Sequence, residues 1–206
     1  MFYHLAQEPS HVSRLREEIR PLRGADGEFS VKDLQSADHL NGIINETLRL
    51  HPPVPSGTLR LTPPEGTTIS GRFIPGNTTV VSPTWTVGRL ESCYERPLEF
   101  IPERWYSKPE MIKNKVAFAP FSLGLRPIVY CSHEVNIANR LLGPYSCVGK
   151  QLALMELRTV VALLVSQFDI SFAPGEDGTR LLTDSKDYFT ISISDLYLVF
   201  TPRVVA

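Results

Sequence analysis

The sequence predicts an α+β chain, mainly helical with small antiparallel β-sheets, and three observations carry that prediction. Two segments place apolar residues at helical spacing, and a proline-rich middle stretch cuts β-branched runs into short strands. A long segment after Gly149 is apolar on most of its faces. A length of 206 residues suits one ordinary domain with a sizeable core. The net charge of −1, with 42% hydrophobic and 21% charged residues, marks a globular chain and argues against a nucleic-acid partner. Seventeen prolines exceed the usual share of ~5% and cluster between Pro52 and Pro127, so that stretch is turn-rich.

Taken in order, residues 9–22 set Val12, Leu15 and Ile19 among charges, a half-exposed helix that Pro21 and Gly24 end. In the second helix Leu40, Ile43, Ile44, Thr47 and Leu48 recur at offsets of three, four, seven and eight, and His51-Pro52-Pro53 forbids continuation beyond about Leu50. Between residues 58 and 87, Pro63-Pro64-Glu65-Gly66, Gly71 and Pro75-Gly76-Asn77 separate short antiparallel strands. Residues 149–168, with Leu152, Met155, Val160, Leu163, Leu164 and Phe168, read as a helix buried nearly all round that forms the core. After Pro174-Gly175, residues 188–194 and 196–201 alternate and read as a hairpin closing the domain.

Cys93, Cys131 and Cys147 are an odd number without metal-finger spacing, against both a disulfide framework and a structural zinc site. No apolar run is long enough for a signal peptide or a membrane span, so the chain as written is expected to be unanchored. Glu46 and Arg49, three residues apart, share a helix face and can pair. Taken alone such a pair usually sits in water and is worth ~0.2–0.5 kcal/mol.

Context changes that reading. Glu46-Thr-Leu-Arg49 is followed by Leu50-His51-Pro52-Pro53 and later by Phe100-Ile101-Pro102-Glu103-Arg104-Trp105. This ordered set resembles the cytochrome P450 family of haem-thiolate monooxygenases, in a fungal type, in which a helical E-x-x-R and a later P-E-R-F/W build one buried Glu-Arg-Arg network. By that resemblance Glu46 and Arg49 pair, Arg104 locks onto them, and the role is structural. The family's third motif, F-x-x-G-x-R-x-C-x-G, carries the thiolate that holds the haem iron. Here it is split: Phe121-Ser-Leu-Gly124 matches its first half and Pro144-Tyr-Ser-Cys147-Val-Gly149 its second, with residues 125–143 between them. Tyr145 stands where arginine is commonest, which removes one expected contact to a haem propionate.

The resemblance thus implies haem, thiolate-ligated, with Cys147 as the metal ligand and Phe121, Gly124 and Gly149 as the rest of the cofactor loop. Cys147 lies at the mouth of the long helix, where the helix dipole and unpaired amides favour a thiolate. Cys131 is the competitor, but the template started at Gly124 puts cysteine at Ile128, and no glycine follows Cys131-Ser-His133. Cys93 reads as an ordinary half-buried side chain. Arg60, on the first strand after the proline loop, is a propionate partner by resemblance, with an exposed strand arginine as the competing reading. The hairpin near Phe189 and Thr190 and the strand after Pro53 either line a substrate cavity or are plain sheet core. The five histidines have no metal-ligand spacing, and no metal site beyond haem is implied.

Residues 1–206 accordingly read as the C-terminal part of a single P450 domain, incomplete, with 125–143 interrupting the haem loop. Codons for Gly124 and for Leu142-Gly143 can supply a splice donor and acceptor, so a retained intron is expected there, with a tolerated surface loop as the alternative, since loop-closure costs grow only slowly with length. The intact parent is expected on the endoplasmic reticulum membrane, taking electrons from an NADPH–cytochrome reductase and acting on a small lipophilic substrate. This chain, lacking the distal oxygen-activating helix, is expected to be inactive alone. The alternative is a non-catalytic remnant or interaction module that binds no haem.

Overall fold

The computed structural model describes residues 1–122 and 147–203. Gly124, Cys131 and residues 125–143 lie outside them. Helix α1 (Phe2–Gln7) leads into α2 (Pro9–Ile19), which starts on Pro9, where the missing amide hydrogen costs nothing. The helical segment expected over 9–22 changes at its end: Arg20–Leu22 tightens into a 3-10 turn at Pro21. After the short α3 (Val31–Leu34) comes α4 (Asp38–Leu50), which stops at His51 as the Pro-Pro pair requires. No side chain of α4's own segment caps its start. Instead the Glu18 carboxylate, reaching over from α2, accepts from the amides of His39 (2.7 Å) and Leu40 (3.0 Å). An anion at a helix N-terminus both satisfies free donors and complements the dipole.

The proline-rich stretch folds into two antiparallel pairs, β1 (Leu59–Leu61) with β4 (Thr79–Val81) and β2 (Thr67–Ile69) with β3 (Arg72–Ile74). Ser70 and Gly71 both have positive φ, the two-residue turn whose twist suits a hairpin. Helix α5 (Thr84–Val87) and a run of turns lead to the 3-10 turn Pro102–Trp105. Helix α6 (Lys150–Gln167) passes without a linker into β5 (Phe168–Phe172), and α7 (Thr179–Thr183) precedes β6 (Lys186–Tyr188), β7 (Thr190–Ser192) and β8 (Leu198–Pro202).

The core joins Leu5, Val12, Leu15 and Ile19 to Leu40, Ile43 and Ile44, with Val161, Ala162 and Val165 of α6 closing it. Two expectations need correction. Helix α6 is not buried all round: Leu152, Met155 and Val160 are exposed, because among the described residues α2, α3, α4 and β5 cover one face of it, that of Leu154, Leu157, Val161 and Val165. Nor do residues 188–194 pair with 196–201. The first segment turns back on itself at Phe189 (φ 81°), and β8 pairs instead with β5. In that pairing Leu198 and Phe200 turn onto the core, where Phe200 meets Phe2 and Phe168 edge to face. No helix of the described residues is long and apolar enough to cross a membrane.

Candidate functional site

Helix α4 presents Glu46 and Arg49 on one face, and both are fully removed from solvent. Arg49 forks onto the carboxylate, Nε to Oε2 at 2.9 Å and Nη2 to Oε1 at 2.8 Å. From the 3-10 turn, Arg104 Nε donates to Oε1 (2.9 Å) and Trp105 Nε1 to Oε2 (2.9 Å), and the Ile101 amide adds a bond to Oε1 (2.9 Å). Two guanidinium groups on one carboxylate leave a net positive charge, which backbone carbonyls of Gly88, Pro97 and Glu99 around Arg49 and of Glu95 and Arg96 around Arg104 offset. The Tyr94 ring lies under Arg49 at 5.0 Å. Burial raises the Tyr94 pKa, so its hydroxyl stays neutral. These bonds hold residues 88–105 against α4.

Gly42 makes that approach possible. It lies one turn before Glu46, and a Cβ there would stand 2.7 Å from the Pro102 carbonyl and 3.2 Å from the Tyr106 ring. A glycine inside a helix costs ~1 kcal/mol relative to alanine, so its presence marks the close contact that brings Arg104 to Glu46. Gly42 and the indole of Trp105 are participants that motif reading missed; a glycine four residues before the Glu-Arg pair was the available signal.

The network continues toward the cysteine. The Trp105 ring packs on Phe118 at 4.3 Å, and Phe118 and Phe121 both rest against the core. The Phe121 carbonyl accepts from the Cys147 amide at 3.0 Å, so the two described ends of the split motif lie side by side. Arg60 reaches the same place, its Nη2 donating to Ser122 Oγ at 3.1 Å. Cys147 is exposed, and α6 follows it with Gly149 at the cap position. Among the described residues a Cβ on Gly149 would meet only Cys147 Sγ, at 3.8 Å, an ordinary van der Waals contact. Gly124 and Cys131 lie outside the described residues. Cys93 is buried in the loop held by Arg49, and its carbonyl accepts from the amides of Lys113 and Asn114.

A second feature joins Ser56 to Asp187 and the Ile191 amide to the Pro53 carbonyl (2.9 Å), leaving an open groove lined by Leu59, Val81 and Phe189. Four of the five histidines, without pattern in the sequence, pair in space, and His133 lies outside the described residues. His4 and His51 share a 2.9 Å hydrogen bond with His4 stacked on Phe100, while His11 and His39 meet near Glu103.

The cytochrome P450 family profile matches residues 1–127. Among curated proteins, the cytochrome P450 monooxygenase sthD of Phaeosphaeria nodorum is 46% identical over 97% of this chain and 38% of its own length. The monooxygenase notG' of Aspergillus versicolor is 44% identical over 98% of this chain and 34% of its own. Tryprostatin B 6-hydroxylase of Aspergillus fumigatus is 45% identical, with shares of 98% and 33%. The chain thus spans about a third of the length of the curated relatives it matches. Its helices and small antiparallel sheets are part of the fold of those proteins, and the chain belongs to the cytochrome P450 family.

Proposed function

We propose that this chain supplies the haem-thiolate portion of a monooxygenase, with Cys147 as the residue whose thiolate would hold the iron. The observation that carries the reading is the bond from the Cys147 amide to the Phe121 carbonyl, which sets an exposed thiol beside the N-terminus of an 18-residue helix. The residues present fit a haem. Among the described residues only the Cys147 sulfur lies against Gly149, the exposed Leu152 of α6 is an apolar neighbour in sequence, and Arg60 stands at Ser122 as the cation for a propionate. When bound, a thiolate-held haem supplies oxygen activation for insertion into a substrate C–H bond.

Each protein group then has a plain task. Cys147 would offer its sulfur to the iron from the turn that opens α6. Arg60 holds a carboxylate, while Glu46, Arg49, Arg104 and Trp105 fix the approach that ends at Phe121. The groove near Leu59 and Phe189 faces a small lipophilic substrate, and the hydroxylase named among the relatives supports hydroxylation as the reaction. Electrons come from an NADPH–cytochrome reductase, and turnover belongs to a protein of the relatives' full length.

We assign residues 125–143 to an interruption of the haem loop. In support, the family match ends at residue 127, inside it. Transcript sequencing tests this: mature message lacking those codons is the expected result, and their retention throughout refutes the intron.

The ligand is tested by the reduced carbon-monoxide difference spectrum of the chain reconstituted with haem. A thiolate-type Soret band that Cys147→Ser abolishes is expected. Absence of the band in the parent chain, or its loss in Cys131→Ser with Cys147→Ser unchanged, overturns the assignment.

A further inference from the structure

Helix α2, the first turn of α4 and the Pro102–Trp105 turn bring His11, His39 and Glu103 together, with one ligand atom from each lying within 4.8 Å of the others. His11 and His39 are about 95% buried, and their rings stand 5.3 Å apart. Tyr106 Oη pairs with His39 Nδ1 at 3.0 Å, so the second nitrogen is the one turned to the cluster's use. That atom, His39 Nε2, and His11 Nδ1 are buried without a hydrogen-bond partner among the described residues. A buried polar atom left unpaired forfeits its hydration without a replacement bond, and two such atoms beside a carboxylate call for a cation that accepts nitrogen lone pairs. Glu8 Oε2 lies 2.8 Å from His11 Nε2, an ion-pair distance that does not meet hydrogen-bond geometry, so this second nitrogen of His11 is unpartnered as well among the described residues.

We infer that His11, His39 and Glu103 form a site for one divalent transition-metal ion of the zinc type, separate from Cys147. Two imidazoles and one carboxylate are a zinc donor set, with water free to complete a tetrahedron. Tetrahedral zinc with bonds near 2.0–2.1 Å sets its ligands ~3.4 Å apart, so the three side chains close in by roughly 1.4 Å on loading. In its absence the half-exposed Arg14 supplies the cation at Glu103 Oε1. Metal and guanidinium therefore compete for that carboxylate. The ion would clip α2 to α4 and to the turn that carries Arg104, a second fastening of the segment that Glu46 already holds.

The test is Co2+ and Zn2+ titration of the full 206-residue chain, read by equilibrium dialysis and by the visible d–d spectrum of cobalt. One tightly held ion per chain is expected, with tetrahedral d–d bands and no thiolate-to-metal charge transfer, unchanged in Cys147→Ser. His39→Gln weakens binding at least about tenfold. Glu103→Gln does the same and serves as the second variant should the first fail to fold. Arg14→Gln, at a half-exposed position, tightens binding about threefold or more, since it removes the competitor. The inference is overturned if the parent chain binds no stoichiometric ion, or if charge transfer places the ion on cysteine. Affinity unmoved in Glu103→Gln or in Arg14→Gln overturns it equally. None of these readouts involves haem, so failure here leaves the Cys147 assignment standing.

Discussion

Replacing Glu46 with alanine tests the load on the buried network. The carboxylate accepts five hydrogen bonds, from Arg49 twice, Arg104, Trp105 and the Ile101 amide. Its removal strands two guanidinium groups with no exposed side-chain surface and no counter-ion. Deleting one partner of a buried pair costs ~3–5 kcal/mol. The orphaned indole and amide donors argue for the upper part of that range, since each costs ~1–3 kcal/mol on its own. Set against ~5–15 kcal/mol for a whole domain, the variant loses a third or more of the stability. With a urea slope of ~2 kcal/mol per molar, the unfolding midpoint falls by about 2 M. Equilibrium urea unfolding followed by tryptophan fluorescence reads this directly, because Trp105 touches the missing group. Glu46→Gln lands close to Glu46→Ala, as its amide turns a donor toward donors. By contrast Glu99→Gln, which removes the exposed partner of Arg96, leaves the midpoint unchanged. A loss below about 1 kcal/mol for Glu46→Ala would refute the claim that this carboxylate fastens the 88–105 segment.

Two other predictions concern the same region. Gly42→Ala improves helix propensity yet destabilises by about 1–3 kcal/mol, because the new Cβ meets the Pro102 carbonyl and the Tyr106 ring; thermal unfolding of the variant at or above the parent midpoint contradicts the close-packing account. Acid sensitivity should come from the histidines: burial lowers the pKa of His39 and of His51 from 6.5 to about 4, with His4 lowered further by burial and by His51. The unfolded chain therefore binds protons that the folded chain refuses, and stability present above pH 6.5 is lost as pH falls from 6.5 toward about 4, at no more than ~1.4 kcal/mol per pH unit for each ring. Urea midpoints measured between pH 7 and pH 5 should fall, and His51→Gln should flatten the slope; a slope identical in the variant rules His51 out as a source.

The amino-acid sequence by itself determined what depends on neighbours along the chain. The offsets of Leu40, Ile43, Ile44 and Leu48 and the stop at Pro52-Pro53 define α4, since helical periodicity and a missing amide act within a few residues. Proline and glycine punctuation likewise set the short strands after Thr58. The Glu-x-x-Arg and Pro-Glu-Arg-Trp motifs were legible as a pair, and so was the family, because those residues keep their order when the network they build is spread over 58 positions. Tertiary structure alone decided who meets whom. It set β8 against β5, because an alternating strand records which face is apolar and not which edge it joins. Among the described residues it left Leu152, Met155 and Val160 of α6 uncovered, since an apolar helix declares a need for burial without naming a cover. It drew Trp105 onto Glu46 through the space that Gly42 leaves open, and His11, His39 and Glu103 onto one point. Ligand atoms converge by packing, and the separations of 28 and 64 residues between those three carry no periodicity for a sequence to display.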